Sequence, residues 1–419
     1  MSMFSRLSKR GLRIFRGPPD DQNESSLGGK RVLFVSHEAT RTGAPMIILN
    51  ILKHFHNACD IQCETLLHNG GHLVSDFKRY STVECINAPR KASDELKKKV
   101  QKWIGREKGN PPVVAVCNSM ESRFIAEEIT AAKIPIVYLV HELPCSYAEE
   151  DLQNIYRYSE KVVFPVHAVR EAAEAKAPMP SGKAIVLPQG LLNPDFGKTT
   201  TREQARAQIR RELSLPEDSF IVLGCGTLDL RKGIDHFANV ARRICDSQDG
   251  GCPIHFVWVG DGARWMHSPY HYVQLDLERS KAKNHVHFIG ERANVEPYFF
   301  GADTFLMSSR VDPFPCVIHE AMASGLPVIA FAKSGGAPEA ISGGAGVVVP
   351  YADYDQTASM IRMFSSQPDV ANGMRTKSIE RVHTRYRFDD YGDKLIDLAE
   401  SVCGQSLRSK ATTPLRKAA

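Results

Sequence analysis

Asp303–Glu339, DTFLMSSRVDPFPCVIHEAMASGLPVIAFAKSGGAPE, packs a strand, a turn, a helix and a second strand into one short stretch. Asp303–Met307 and Pro327–Phe331 are continuous apolar runs, the pattern of strands buried on both faces. Between them Pro313 and Pro315 suit the first turn of a helix that ends before Gly325, with Asp312 placed as its N-cap. Glu320 lies eight residues after Asp312, among Val317, Ile318, Ala321 and Met322. An unpaired carboxylate on an apolar helix is costly to bury. Either Glu320 stands at the rim facing water, or it holds a ligand's hydroxyls in a cleft.

Working outward, the same strand–helix alternation fills the chain. Upstream the strand-like runs are Arg31–Ser36, Cys63–Leu67, Val83–Ala88, Val113–Cys117, Ile134–Val140, Lys161–Val166 and Ala184–Leu187. Helical patterns lie between them, at Ala44–His56, Ala92–Trp103 and Met120–Ala131. A second series comprises Phe220–Gly224, Ile254–Gly260, His285–Ile289, the two strands above and Gly346–Pro350. Alternation of this kind gives α/β architecture with parallel sheets and right-handed crossovers. Pro188–Lys198 concentrates Gly, Pro and Asn and reads as the linker between two doubly wound, Rossmann-like domains. The boundaries expected are a basic flexible tail over 1–29, a first domain over 30–195, a second over 196–388, a final amphipathic helix over 389–404 and a flexible tail over 405–419. In open parallel sheets ligands bind beyond the carboxyl ends of the strands, so the site belongs in the cleft where the two sheets face each other.

Composition narrows the class. The 419 residues are 42% hydrophobic and 24% charged, and no run reaches the ~18 apolar residues of a membrane span. No secretory signal is evident, because Arg6, Lys9, Arg10 and Arg13 interrupt the first apolar residues. The 10 cysteines are scattered without a CxxC pair, which reads as a reduced, cytoplasmic protein. Residues 1–16 hold five basic side chains and residues 408–419 hold four, so removing these nine from the net charge of +5 leaves −4 for the body. The body therefore lacks a general basic field, which disfavours nucleic acid as a partner. Phe4, Leu7, Ile14 and Phe15 interleave with the basic residues of 1–16, as in a short helix on an anionic membrane surface; a disordered tail or an Arg-rich transit peptide has the same look.

Two further loops carry candidate chemistry. Gly224–Asp235, GCGTLDLRKGID, joins a strand to a helix; its glycines let backbone approach a phosphate, and Arg231 and Lys232 can offset the charge of a leaving diphosphate. A solvated Arg–Lys pair is the alternative. Ser36–Pro45, SHEATRTGAP, places Gly43 before Ala44–Pro45 at a helix start after the first strand. His141 directly follows the strand Ile134–Val140, at the carboxyl end where the cleft is expected; a lone, purely structural His is the alternative. His37–Glu38, His141–Glu142 and His319–Glu320 do not extend to HExxH, and a GxSxG elbow and a Walker A loop are absent. His267 and His271 have i,i+4 spacing without an acidic third ligand, which reads as surface loop.

The Asp312–Glu320 segment resembles the Glu-x7-Glu signature of the retaining GT-B glycosyltransferases of family 4, with Asp312 in place of the first Glu. The resemblance runs from Arg31 to the last helix. It implies a GT-B fold whose C-terminal helix crosses back to the first domain. It also implies transfer of a sugar from a nucleoside diphosphate donor to a hydroxyl of a glycan or lipid-linked acceptor, with retention and without an obligatory metal or cofactor. The first acid lies against the donor sugar and the second binds the ribose; here these are Asp312 and Glu320. Backbone amides of Phe314, Cys316 and Val317 would receive the diphosphate, and Ser334–Gly336 and Glu339 fit the same pattern. His141 would contact the donor sugar, and Gly43 would lie near the donor phosphate. Family members commonly carry Arg directly after the second glycine of the phosphate loop; here Thr227 stands there, with Lys232 retained and Arg231 added. Two rivals stay open: a sugar-nucleotide epimerase or hydrolase of the same fold, and a catalytically silent sugar-nucleotide binding protein.

Overall fold

The computed structural model describes residues 29–87, 93–107, 109–247 and 253–408. Its first sheet contains β1 (Lys30–Ser36), β2 (Ile61–Leu67), β3 (Thr82–Cys85), β4 (Val114–Asn118), β5 (Ile136–Leu139), β6 (Lys161–Phe164) and β7 (Ala184–Val186). Their order is β3-β2-β1-β4-β5-β6-β7. The second sheet contains β8 (Phe220–Cys225), β9 (Ile254–Val259), β10 (Val286–Phe288), β11 (Thr304–Met307), β12 (Val328–Phe331) and β13 (Gly346–Val349), ordered β10-β9-β8-β11-β12-β13. Every ladder is parallel. Each apolar run read from the sequence overlaps one of these strands. Ala88 and Ala92, read as part of a strand and a helix, lie outside the described residues.

Helices cover both faces, which is why the central strands are apolar without alternation. Val114, Ala115, Ile136, Leu139, Val222 and Leu223 are all fully buried. Both sheets reverse strand order at the point where the chain returns to the first strand: between β1 and β4, and between β8 and β11. Crevices open at these switch points.

Two passes of chain tie the units together. Outbound, Gln189–Leu191 runs against the returning segment Tyr386–Phe388, and the amide of Leu191 donates to the carbonyl of Tyr386 at 2.9 Å. After that crossing the helix Phe388–Cys403 packs on the helix Gly43–Ala58 and on β4 and β5. Its Phe388, Tyr391, Leu395, Ile396 and Ala399 join the first unit's core, and Gly392 lets the ring of His54 approach to where a Cβ would be only 2.4 Å away.

The expectation of a loose tail from residue 405 is corrected at its start. Leu407 is buried, its carbonyl accepts from the amide of Asp60 at 3.0 Å, and the carboxylate of Glu400 accepts from the amides of Leu407 and Arg408 at 2.6 and 3.1 Å. Glu400 thus folds residues 405–408 back over the end of its own helix. Residues 1–28 and 409–419, which hold the basic side chains of the two ends apart from Arg408, lie outside the described residues.

At the crossing, a Cβ on Gly190 would stand 2.3 Å from the carbonyl oxygen of Tyr386 and 2.5 Å from the backbone of Arg387 and Phe388. Neither strand of the crossing can yield without moving a unit. Gly190→Ala should therefore lower stability by about 1–3 kcal/mol, read as a lower denaturant midpoint; an unchanged midpoint would show that the two passes are not held in contact.

Candidate active site

The carboxyl ends of both sheets and the starts of two helices meet at one cavity of about 370 Å³. Its walls come from Gly43 and Ala44, from His141 to Leu143, from Gln189, from Arg231 and Lys232, and from Val311 to Val317. The helix Gly43–Ala58 begins on one side and the helix Cys316–Ala323 on the other. A Cβ on Gly43 would lie 4.0 Å from Sγ of Cys316, so the two helix starts nearly touch. Neither receives a side-chain cap. Leading amides without intrahelical carbonyl partners, at two converging helix starts, make this corner electropositive.

Lys232 is placed there by its loop. Gly226, at φ +149, leaves room for the aliphatic stem, and a Cβ at that position would meet Lys232 Cδ at 3.2 Å. The amide of Lys232 donates to Asp229 Oδ1 at 2.7 Å, and Gly233, at φ +74, presses against the carbonyl of Ser308 where no side chain would fit. The Lys232 ammonium reaches across the cleft loops to Asp312 Oδ2 at 2.6 Å. Arg231 lies 3.9 Å from the other carboxylate oxygen, and Ser309 Oγ donates to Oδ2 at 3.4 Å.

Asp312 does not cap the helix. Pro315 occupies the N-cap and the first helical residue is Cys316, so Asp312 is too far upstream for its side chain to reach the helix amides; its carboxylate is taken up by Lys232. Ser334–Gly336 holds the backbone of Asp312 from behind. The Asp312 amide donates to the carbonyl of Ser334 at 2.8 Å and the Gly336 amide to the carbonyl of Asp312 at 3.2 Å, while Gly335 at φ +120 has no space for a Cβ. Glu339 faces the other unit, where Oε2 accepts from the amide of His167 at 3.0 Å.

His141 has a fixed tautomer. Asn118, at the end of β4, donates through Nδ2 to the carbonyl of Ala44 at 3.1 Å, and a carbonyl can only accept. Asn118 Oδ1 therefore faces His141 Nε2 at 2.8 Å, and that nitrogen must carry the proton. Burial, with His37 nearby, pushes the His141 pKa down to about 4, so the ring is neutral and Nδ1 bears a lone pair. Nδ1 is buried without a partner among the described residues. The neighbouring Glu142 carboxylate accepts from the amides of Met120 and His141, at 3.0 and 3.1 Å, and from the Ser119 hydroxyl, which fixes the loop on which the imidazole sits.

Glu320 stands beside Cys225 and Cys316 rather than in the cavity wall, and its carboxylate has no hydrogen-bond or ion-pair partner among the described residues. Burial, reinforced by Glu296, raises its pKa to about 7. Thr227 borders an adjoining, more open space of about 800 Å³ with Arg41, Thr42, Gly260, Asp261 and Glu291. Phe314 seals the floor of the cavity, its ring 4.8 Å from that of His319. Asn118, Ser309 and Gln189 were not singled out from sequence. Asn118 ends an apolar run and Gln189 sits in a segment that reads as linker, so only the three-dimensional neighbours reveal them.

Residues 219–366 match the family model described as glycosyl transferases group 1. The chain is 22% identical over 320 residues to the O-antigen biosynthesis glycosyltransferase WclY of Escherichia coli, covering 71% of this chain and 79% of that protein. It is 28% identical over 175 residues to the lipopolysaccharide core biosynthesis glycosyltransferase LpsE of Rhizobium meliloti (strain 1021), covering 42% of this chain and only 46% of LpsE. Anabaena HepE, solved in complex with UDP and glucose, superposes with a TM-score of 0.74 at 18% identity, over 89% of this chain and all of that one. The fold is GT-B, and the second unit is similar to the group 1 glycosyl transferases.

The raised pKa of Glu320 has a stability consequence. The folded state binds this proton more tightly than the unfolded state, so Glu320 stabilises below its ordinary value near 4.5, and that contribution is lost as pH rises through about 7. Glu320→Gln should therefore melt a few degrees above the parent at pH 8, and the gap should close by pH 5, as followed by thermal denaturation across pH. A gap independent of pH would show that the carboxylate is not desolvated.

Proposed function

We propose that this chain transfers a glycosyl group from a nucleoside diphosphate sugar to a hydroxyl of a glycan or lipid-linked acceptor. The reaction is placed in surface-glycan assembly of the lipopolysaccharide or O-antigen kind, with retention of configuration and no obligatory metal. One observation carries the reading: Lys232, Arg231 and the leading amides of Cys316 and Val317 converge on a single cavity, facing the start of the Gly43 helix. That is a site for a compact anion bearing several negative oxygens. As the bond from the anomeric carbon to the diphosphate breaks toward an oxocarbenium-like state, charge grows on the leaving phosphate, where these groups stabilise it. Asp312 holds Lys232 at the cavity and leaves it exposed to the incoming phosphate. His141 Nδ1 accepts a hydroxyl of the donor sugar, and Glu320 accepts from the ribose. Closure of the two units excludes water and aligns the acceptor.

Retention follows from the resemblance to family 4, and the acceptor class from the lipopolysaccharide-core and O-antigen roles in the names of LpsE and WclY. Among the described residues no helix is long and apolar enough to cross a membrane. The basic, amphipathic segment 1–16 is proposed to meet an anionic cytoplasmic membrane face peripherally, where a lipid-linked acceptor would lie.

Lys232→Ala should reduce sugar transfer from a radiolabelled donor by about a hundredfold or more in kcat, while the variant stays folded. Undiminished transfer would remove the assigned role of Lys232. Release of free sugar by the parent without transfer to any acceptor would favour the hydrolase or epimerase reading instead.

A further inference from the structure

Gln189 lies on the segment that joins the two units, outside the signature segments, yet the residue borders the cavity and is 1% exposed. Its amide orientation is forced in the same way as that of Asn118. The group 3.0 Å from Gln189's amide is the carbonyl oxygen of Phe314, which can only accept, so the NH2 must point to it. Oε1 then faces away from Phe314, and it is buried with no hydrogen-bond partner among the described residues. Two residues that border the cavity thus each carry a buried, orphaned acceptor of fixed orientation, His141 Nδ1 and Gln189 Oε1, from the first unit and its exit segment.

A diphosphate cannot satisfy them, because at neutral pH its oxygens only accept. Hydroxyl groups can. The cavity is accordingly divided into an anion corner, with Lys232, Arg231 and two helix starts, and a corner that demands hydrogen-bond donors. We infer that Gln189 is a specificity-determining residue that reads a hydroxyl of the donor sugar through Oε1, alongside His141. This rests on the glycosyltransferase reading above and goes further, because it assigns the sugar-reading role to a residue outside the signature segments. Since the same side chain donates across to Phe314 in the second unit, the sugar is read only when the two units hold their present relation.

A buried acceptor left without its donor is costly, so deleting the hydroxyl it reads should weaken binding by about tenfold. The test uses the full chain, UDP-glucose and GDP-mannose, and the four monodeoxy analogues of whichever binds, with affinities measured by titration calorimetry. The parent should lose about tenfold in affinity for the analogue lacking the hydroxyl that Gln189 reads. Gln189→Met, close in shape but without acceptor or donor, should bind the intact donor about tenfold more weakly and no longer distinguish that analogue. The bare nucleoside diphosphate should bind parent and variant alike, which shows the fold and the anion corner to be intact. If Gln189→Met discriminates every hydroxyl as the parent does, solvent satisfies Oε1 and the inference fails while the donor site stands. If the parent binds neither sugar nucleotide nor bare UDP or GDP, the glycosyltransferase reading fails and this inference with it.

Discussion

The 2.6 Å ion pair between Lys232 and Asp312 is the contact around which the rest of the site is arranged. It joins the loop after β8 to the loop after β11, the two strands that flank the switch point of the second sheet. Left alone, an ammonium at the mouth of two helix starts would be repelled by their partial positive charge. The carboxylate compensates, and it takes up only one of the lysine's donors, so the cation is held at the cavity with donors to spare. The surrounding glycines serve that placement: Gly226 accommodates the lysine stem, Gly233 the crossing of the Ser308 carbonyl, and Gly335 the backbone of Asp312.

The first unit contributes selectivity of another kind. Its groups at the cavity are neutral and directional, with hydrogen-bond polarity settled by carbonyls that admit only one orientation. Ala44 orients Asn118, Asn118 orients His141, and Phe314 orients Gln189. Burial keeps His141 uncharged, so the cationic side chains at the cavity are Lys232 and Arg231. The charged groups and the neutral, directional ones thus come from different halves of the molecule. Their combination depends on the crossing at Gly190 and Tyr386, on the return of the last helix to the first unit, and on the bond from the His167 amide to Glu339.

The fold was legible because burial on both faces leaves an unmistakable record: runs such as Arg31–Ser36 and Pro327–Phe331 have no polar alternation and are separated by helical periods. Loop signals were legible where glycine and charge coincide, as at Gly226–Lys232. Reading failed where function rests on direction rather than composition. Asp312 was expected to cap a helix because acids often do so before a proline-rich first turn; the helix begins later, and a lysine eighty positions away claims the carboxylate. Gln189 is silent in the sequence because a linker of Gly, Pro and Asn gives no sign that one of its amides is buried against another unit. The tautomer of His141 depends on a carbonyl distant in sequence, and no spacing rule contains it.

On the proposed function, the phosphate of a sugar nucleotide lodges between the two units, against Lys232 and the start of the Cys316 helix. A structure of the full chain with bound UDP or GDP examines it most directly. The account predicts the terminal phosphate within hydrogen-bond reach of Lys232 Nζ and of the Cys316 and Val317 amides, with the ribose beside Glu320. Phosphate bound away from this cavity, with Lys232 still engaged only by Asp312, would contradict it.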